Sequence, residues 1–430
     1  MDAATKHEAS GLHSALRYKF IAIVGNENVR AATAADVVAG VQAKLVIEPG
    51  TESEVSEILR LSNAAGLAVI PRGGGTKIGW GNPPTRADLI LSTVRLNEII
   101  EHAWADLTVS VGAGCTIQRL QETLAQHGQR LALDPLWPEK ATIGGVLSAN
   151  DSGALRLRFG ALRDLIIGAT IALADGTLAS SGGKVVKNVA GYDLPKLVTG
   201  ALGTLGAITR AVFRLHPLPR NTRSFSVATA NAEEALRFVL AVQDSKLAHT
   251  FLQSHFSDES SPVSDILFEG TEAGLEAQEV QLRSLAVPAK VLGSSTSTWT
   301  AREELWTLAD PQCAAIAKIS ILPANLARTI KLVEHIASGQ QVRWRALAYA
   351  TGLGWLRFEG KPAALRGTLQ ALRGELEGQQ GSLAALYRPE KMPAFDAWGS
   401  VGDALPLMKA LKQQLDPKSM LNPGRFVGGI

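Results

Sequence analysis

The stretch Pro71-Arg-Gly-Gly-Gly-Thr-Lys-Ile-Gly79 follows a short apolar run, Leu67–Ile70, that reads as a buried strand. Three successive glycines can take φ > 0 without a Cβ clash, so their amides can turn into one concavity. Such a nest binds phosphate oxygens, and Arg72 or Lys77 can add charge-assisted bonds. A tight turn would use the same residues. The stretch is not a P-loop, because no Gly-Lys-Ser/Thr follows at the required distance. It is also not the Gly-x-Gly-x-x-Gly dinucleotide fingerprint, and no helix is signalled directly after it.

Two more glycine-bearing stretches lie downstream. Thr142-Ile-Gly-Gly-Val-Leu-Ser-Ala-Asn-Asp-Ser-Gly153 sets a glycine pair at the start of a predicted helix. Backbone there can approach a flat ligand, and the helix dipole favours a negative group. Close helix–strand packing is the plainer use of those glycines. Gly200-Ala-Leu-Gly-Thr-Leu-Gly-Ala-Ile-Thr209 reads by itself as a sharp turn into a buried strand.

The elements around these stretches alternate. Lys44–Glu48 is a predicted strand. Thr51-Glu-Ser-Glu54 is a capping box that opens a helix with Val55, Ile58, Leu59 and Ser62 inward. Strands are predicted at Asp88–Ser92 and Leu107–Val111, and a helix at Thr116–His127 closed by Gly128. Leu165–Ala174 and Thr177–Ser181 flank Asp175-Gly176, a strong hairpin signal. After the strand Ala207–Leu215, His216-Pro-Leu-Pro219 breaks the chain and marks a predicted domain boundary. Beyond it the sequence predicts strands at Phe225–Ala228, Lys318–Leu322, Gln341–Ala350 and Gly354–Phe358. Helices are predicted at Ala232–Val242, Asn325–Ser338 and Pro362–Gln379. Strands and helices mixed without glycine fingerprints suggest α+β on an antiparallel sheet. A last helix, Ala404–Leu415, stops at Asp416-Pro417 and leads to Asn422-Pro-Gly-Arg425.

Taken together the motifs resemble a known family. They are Ile70–Thr76, Thr142–Gly145, Phe159-Gly-x-x-Arg-Asp164, Lys187–Leu194, Gly203–Thr209 and the closing Leu415–Arg425. The chain is similar in these to the vanillyl-alcohol-oxidase-type (PCMH-type) FAD-binding fold. Lys187–Leu194 and Leu411–Asp416 are most similar to the FAD-binding subunits of glycolate oxidase (glycolate dehydrogenase). The likeness is dense over about residues 40–218 and 403–426 and thin over 220–400. It implies an α+β protein with a helical lead-in (1–39) and a PCMH-type FAD-binding domain of two subdomains (40–218). A second α+β cap-like domain on an antiparallel sheet (219–402) follows, and the carboxyl-terminal segment (403–430) returns to the FAD domain.

The resemblance also implies roles. Arg72, Gly73, Gly74, Gly75, Thr76, Lys77 and Gly79 would hold the FAD diphosphate. Thr142, Gly144, Gly145, Ser148 and Gly153 would run along the ribityl chain and ring, with Pro135 and Arg163 also at the cofactor. Gly203 and Ile208 would close on the adenine side, and Asn422 and Arg425 would return near the isoalloxazine. Covalent members often carry a histidine just after the glycines. Here Thr76 stands there, and no cysteine lies in Thr142–Gly153, so non-covalent FAD is expected. The related hydroxy-acid dehydrogenases share a His-x-His metal site. Here none of the eight histidines are two apart, so no metal site and no catalytic base are assigned.

Composition narrows the function further. The 430 residues carry a net charge of +3 and 5% aromatics, which is no nucleic-acid footprint. Cys115 and Cys313 are too few for an iron–sulfur or structural zinc site. The longest uncharged run, Leu197–Thr209, is thirteen residues, against the roughly 20 that a spanning helix needs. A cytoplasmic protein is expected, one that would meet the inner membrane only through partner subunits. The expected function is a subunit oxidising glycolate or a related 2-hydroxy acid. Its partners would be a small hydroxy acid, a second flavin subunit and an iron–sulfur subunit. An electron-relay or structural subunit with FAD is the alternative, and a nicotinamide-linked reductase is a third reading without a visible fingerprint. Arg343 and Arg345 share a strand face with Tyr349. They could clamp a carboxylate or lie on a solvated face over a buried Trp344.

Overall fold

The computed structural model describes residues 16–183, 193–293 and 299–430. Most of the Lys187–Leu194 motif therefore lies outside the described residues, and so do the first fifteen residues of the lead-in.

Three sheets carry the architecture. The first has four strands in the spatial order Val29–Ala31, Leu45–Ile47, Leu89–Ser92, Val69–Arg72. Its last three strands pair in parallel. The helix Glu52–Ala64 buries Val55, Ile58, Leu59 and Ser62 against it, the face that the 3.6-residue spacing marks. Thr51 caps this helix through the Glu54 amide at 3.1 Å. The Glu54 carboxylate reaches the Gly50 amide at 2.7 Å, one residue before the position a capping box uses.

The second sheet has five antiparallel strands in the order Leu178–Gly182, Ile166–Ala172, Ala207–Arg214, Thr108–Gly112, Ile99–Ala103. The Asp175-Gly176 hairpin forms as predicted, with Gly176 at φ +90°. The helices Ile117–Ala125 and Ile143–Ala149 pack on this sheet over Val111, Ala113, Leu120, Val146 and Ala211.

The third sheet has eight strands, all antiparallel, in the order Lys290–Leu292, Asn221–Ala228, Val263–Gly270, His249–Ser257, Arg343–Tyr349, Leu353–Glu359, Ala314–Ser320, Ser382–Tyr387. Helices Ala232–Asp244, Glu272–Leu285, Leu326–Gly339 and Pro362–Glu377 cover one face. The other face turns Phe251, Leu267, Leu347, Tyr349 and Trp355 toward Trp80, Leu136 and Leu155, which lie in loops of the preceding domain. His249–Ser257 and Val263–Gly270 lie in the middle of the sheet, yet sequence reading missed both. They are buried on both faces, so the alternation that marks a half-exposed strand is absent. In Ala232–Asp244 the buried face is Ala232, Ala235, Phe238, Val239 and Val242; Leu236 and Leu240 are only half-buried.

The tail closes the first sheet. After the helix Leu405–Leu415, Leu421 bridges Val69 in parallel, and Val69 N–H donates to Met420 O at 2.8 Å. A buried ion pair, Lys412–Asp416 at 2.6 Å, anchors the turn. Lys412 Nζ also donates to Thr204 O and Leu421 O. Asp416 accepts the Met420 and Leu421 amides.

Candidate functional site

The glycine loop leaves the parallel strand Val69–Arg72 and turns over Thr142. The turn needs glycine for two reasons. Gly75 sits at φ +73°, while Gly73 and Gly74 do not have positive φ. Those two are required by space: a Cβ on Gly73 would lie 1.9 Å from Thr142 Oγ1, and one on Gly74 would lie 1.8 Å from Lys140 O. The expectation that all three turn with φ > 0 is corrected at two positions, where close approach of a second loop is the constraint. Thr142 stands at the helix N-cap without capping it; its hydroxyl accepts the Gly74 amide at 3.4 Å instead.

These loops and the tail line one cleft. Arg72–Lys77, Thr142, Gly144, Gly145, Ser148, Gly203, Ile208, Asn422 and Arg425 all contribute to its wall. The three glycine stretches and the tail motif, 350 residues apart in sequence, thus converge. Pro71, Ile78, Thr93, Ala149, Leu202 and Gly206 complete the wall and were missed by sequence reading. Four expected residues lie elsewhere. Gly79 and Arg163 are exposed outside the cleft. Gly153 donates to Asp134 at 3.1 Å, and Pro135 lines a second cavity.

Two cations at the loop are already engaged. Arg72 Nη1 bonds Asp36 at 2.8 Å, and Asp36 also holds Arg30, so its carboxyl lies well below the usual range. Lys77 turns inward to Asp151 at 3.1 Å and to Leu136 O at 3.1 Å. Burial lowers its pKa, and Asp151 offsets this only in part. Arg425 is different. It is buried, donates to Ile78 O and Trp80 O, and has no carboxylate partner among the described residues. Burial alone lowers its guanidinium to about 10. Backbone strain collects around the cleft as well: Asn150, Leu202 and Asn422 all have positive φ without being glycine.

The FAD binding domain family model matches residues 43–182 of this chain. The chain is an FAD-dependent oxidoreductase. It is 28% identical over 418 residues to a D-lactate dehydrogenase of Archaeoglobus fulgidus, covering 89% of this chain and 91% of that one. It is 26% identical over 426 residues to the glycolate oxidase subunit GlcD of Bacillus subtilis, covering 89% and 88%. Among solved structures, p-cresol methylhydroxylase with substrate bound superimposes with a TM-score of 0.77 at 14% identity, covering 96% of each chain. The fold of this flavoenzyme is accordingly the PCMH type, with its antiparallel cap sheet.

The residues of the oxidoreductase fit the cofactor. The amides of Gly75, Thr76 and Lys77 have no acceptor among the described residues, which suits a diphosphate. Arg425 Nε is buried without a partner among the described residues. So are the indole N–H groups of Trp80, Trp306 and Trp355 where the cap sheet meets the cleft's side of the molecule. Unsatisfied buried donors of this kind suit a ligand rich in acceptors, as FAD is along its diphosphate and flavin pyrimidine edge. Cys115, in contrast, is buried and its thiol is pushed up by burial, so it is a packing residue.

Proposed function

We propose that this chain is the FAD-bearing subunit of a multi-subunit enzyme that oxidises glycolate or a related 2-hydroxy acid to the 2-oxo acid. The observation that carries the reading is the cleft in which the Gly73–Gly75 loop, the Thr142–Ser148 segment and the Asn422–Arg425 tail meet. The D-lactate dehydrogenase and GlcD relatives, matched over nearly the whole chain, support the hydroxy-acid class. Bound FAD would accept two electrons from the acid. Gly75, Thr76 and Lys77 amides would hold its diphosphate, Ser148 and Gly145 its ribityl chain, and Arg425 the flavin ring. The electrons must then leave. Two cysteines, one of them buried, cannot ligate an iron–sulfur centre, so the cluster would belong to a partner subunit. No helix among the described residues is long and apolar enough to cross a membrane, so contact with a membrane would also come through partners in a cytoplasmic complex.

A second reading is an electron-relay subunit without substrate chemistry of its own. It is favoured by the packing between the cap sheet and the loop, where Trp306 stacks on Trp80 at 5.9 Å between ring centroids. His255 is committed to Asp265 at 2.7 Å, which leaves no free histidine pair on that strand. Co-purification from the native host, followed by glycolate-dependent dye reduction, separates the two. Bleaching of the isolated chain's flavin by glycolate supports the first reading. Bleaching only after a second flavin subunit is added supports the relay. Acid precipitation should release free FAD into the supernatant; colour retained in the pellet would contradict the non-covalent cofactor inferred from Thr76.

A further inference from the structure

Trp104 is 57% exposed, although tryptophan is a side chain that folding usually covers. It is nevertheless held in place. Its indole stacks on the His127 ring at 5.7 Å between centroids and 16° between planes. The His127 and His102 rings meet edge-to-face at 5.0 Å. Gln129 Nε2 donates to the Trp104 carbonyl at 2.7 Å, so Gln129 turns its Oε1 to His102 Nε2 at 2.9 Å, and that nitrogen donates. These contacts form a closed circuit of four residues around one exposed indole. Leu107, which ends the same turn, is exposed too and sits at φ +53°. A leucine in the left-handed region stores backbone strain, here without being buried in return.

The turn follows the strand Ile99–Ala103, the outer strand of the five-stranded sheet, and nothing pairs with its free side among the described residues. Ile100 on that strand is exposed. Leu218 widens the apolar surface: it is exposed, and its amide donates to Gly128 O, beside His127. A tryptophan already fixed in one orientation loses little freedom on contact, and tryptophan is prominent among the side chains that dominate protein interfaces.

The stretches that build this surface, 96–129 and 215–220, are acidic. Glu98, Glu101, Asp106 and Glu122 are exposed on them, against two exposed arginines, Arg119 and Arg220. Arg95, just before them, donates to Glu48 O, and Arg130, just after, is paired with Glu269. A negative border repels phosphate backbones and anionic headgroups, so it fits neither a nucleic acid nor a membrane surface. A second copy of this chain fits poorly as well. In a two-fold contact the patch would meet itself, and carboxylates would face carboxylates. The bulge between Ile99 and Glu101 also breaks the ladder that two copies would need to pair their edge strands.

We infer that the Trp104 turn and the edge strand before it are the surface on which this chain docks a different protein subunit, one that brings an apolar socket bordered by lysines or arginines. The inference rests on the multi-subunit reading for the existence of that subunit and adds where it sits. Trp104 is the anchor, with Ile100, Leu107 and Leu218 around it. Glu98 and Asp106 give the contact its charge preference.

The test is made on the complex isolated from the native host through a tag on this chain, and on its separated subunits titrated back together. Partner subunits should co-elute with the wild type. Trp104→Ala should weaken their binding about thirtyfold, as for removal of a hot-spot side chain, with flavin content and circular dichroism unchanged. Asp106→Lys should weaken it too and flatten its dependence on salt; if Trp104→Ala does not fold, Asp106→Lys decides. Val280→Ala, exposed on the cap helix Glu272–Leu285, is the control and should change nothing. Carbodiimide should couple Glu98 or Asp106 to lysines of the partner. A complex that survives both variants unchanged overturns the docking surface and leaves the multi-subunit reading standing. Coupling to a second copy of this chain, in a wild-type dimer that Trp104→Ala splits, overturns the choice of partner. A wild type that elutes alone overturns the multi-subunit reading and the docking surface with it.

Discussion

Single residues decide how this chain can hold its cofactor. Gly74→Ala puts a methyl group into Lys140 O, a backbone atom that cannot swing aside. Overpacking of that kind costs about 1–3 kcal/mol, here taken from the loop that shapes the cleft. The expected outcome is a lower ratio of 450 nm to 280 nm absorbance after gel filtration, with flavin restored only at high added FAD. Gly79→Ala, in open space outside the cleft, is the control and should retain full flavin. Lys318 tells a different story. Burial, with Arg156 and Arg302 nearby and Asp151 opposing them, lowers its ammonium to about 8. A lysine with a depressed folded pKa binds fewer protons folded than unfolded between about pH 8 and 10.5, so its cost is full below pH 8 and fades above it. Lys318→Met should therefore raise the melting temperature at pH 7 and lose that advantage by pH 10.5. An equal gain at both pH values would mean that the substitution acts by packing and not by charge.

At the scale of elements, the tail is the piece most exposed to test. Residues 420–422 add to the edge of the parallel sheet and carry Asn422 and Arg425 into the cleft. The Lys412–Asp416 pair fixes their departure from the helix. Lys412→Met leaves a buried carboxylate without its cation, a change that costs about 3–5 kcal/mol. The urea midpoint should fall, and flavin should be lost at lower urea than in the wild type, because Arg425 leaves with the tail. The double variant Lys412→Met/Asp416→Leu keeps no uncompensated charge, but it loses the acceptor of the Met420 and Leu421 amides and should recover only in part. A single variant as stable as the wild type would contradict the anchoring role.

Across the whole molecule, buried charge ties the FAD domain to the cap. Asp151 bonds Lys77 from the glycine loop and Arg302 from beneath the cap sheet, and Arg130 forms a separate bidentate pair with Glu269 of the cap sheet. Asp151→Asn turns Lys77 and Arg302 into neighbouring cations with no shared counter-ion. The expected loss is about 3–5 kcal/mol, and differential scanning calorimetry should show two transitions where the wild type gives one. One transition at an unchanged temperature would show that the two bodies are held by apolar packing alone.

Much of this was readable from the sequence, and the boundary has a physical basis. Local signals determined the amphipathic helix after Thr51, the Asp175-Gly176 hairpin and the glycine-rich turns, because their causes lie within a few residues. The resemblance carried by the motifs implied Arg72–Lys77, Thr142, Gly144, Gly145, Ser148, Gly203, Ile208, Asn422 and Arg425 at one site, and these share one cleft, while Gly79, Pro135, Gly153 and Arg163 stand outside it. What the chain order does not encode locally is partnership at long range. Two central cap strands had no alternation to betray them, being buried on both faces. Arg72 found Asp36, and Lys77 found Asp151 and through it Arg302, 225 residues away, so two expected phosphate ligands became structural cations. Gly73 and Gly74 are required by the approach of Lys140 and Thr142 and not by their own dihedral angles.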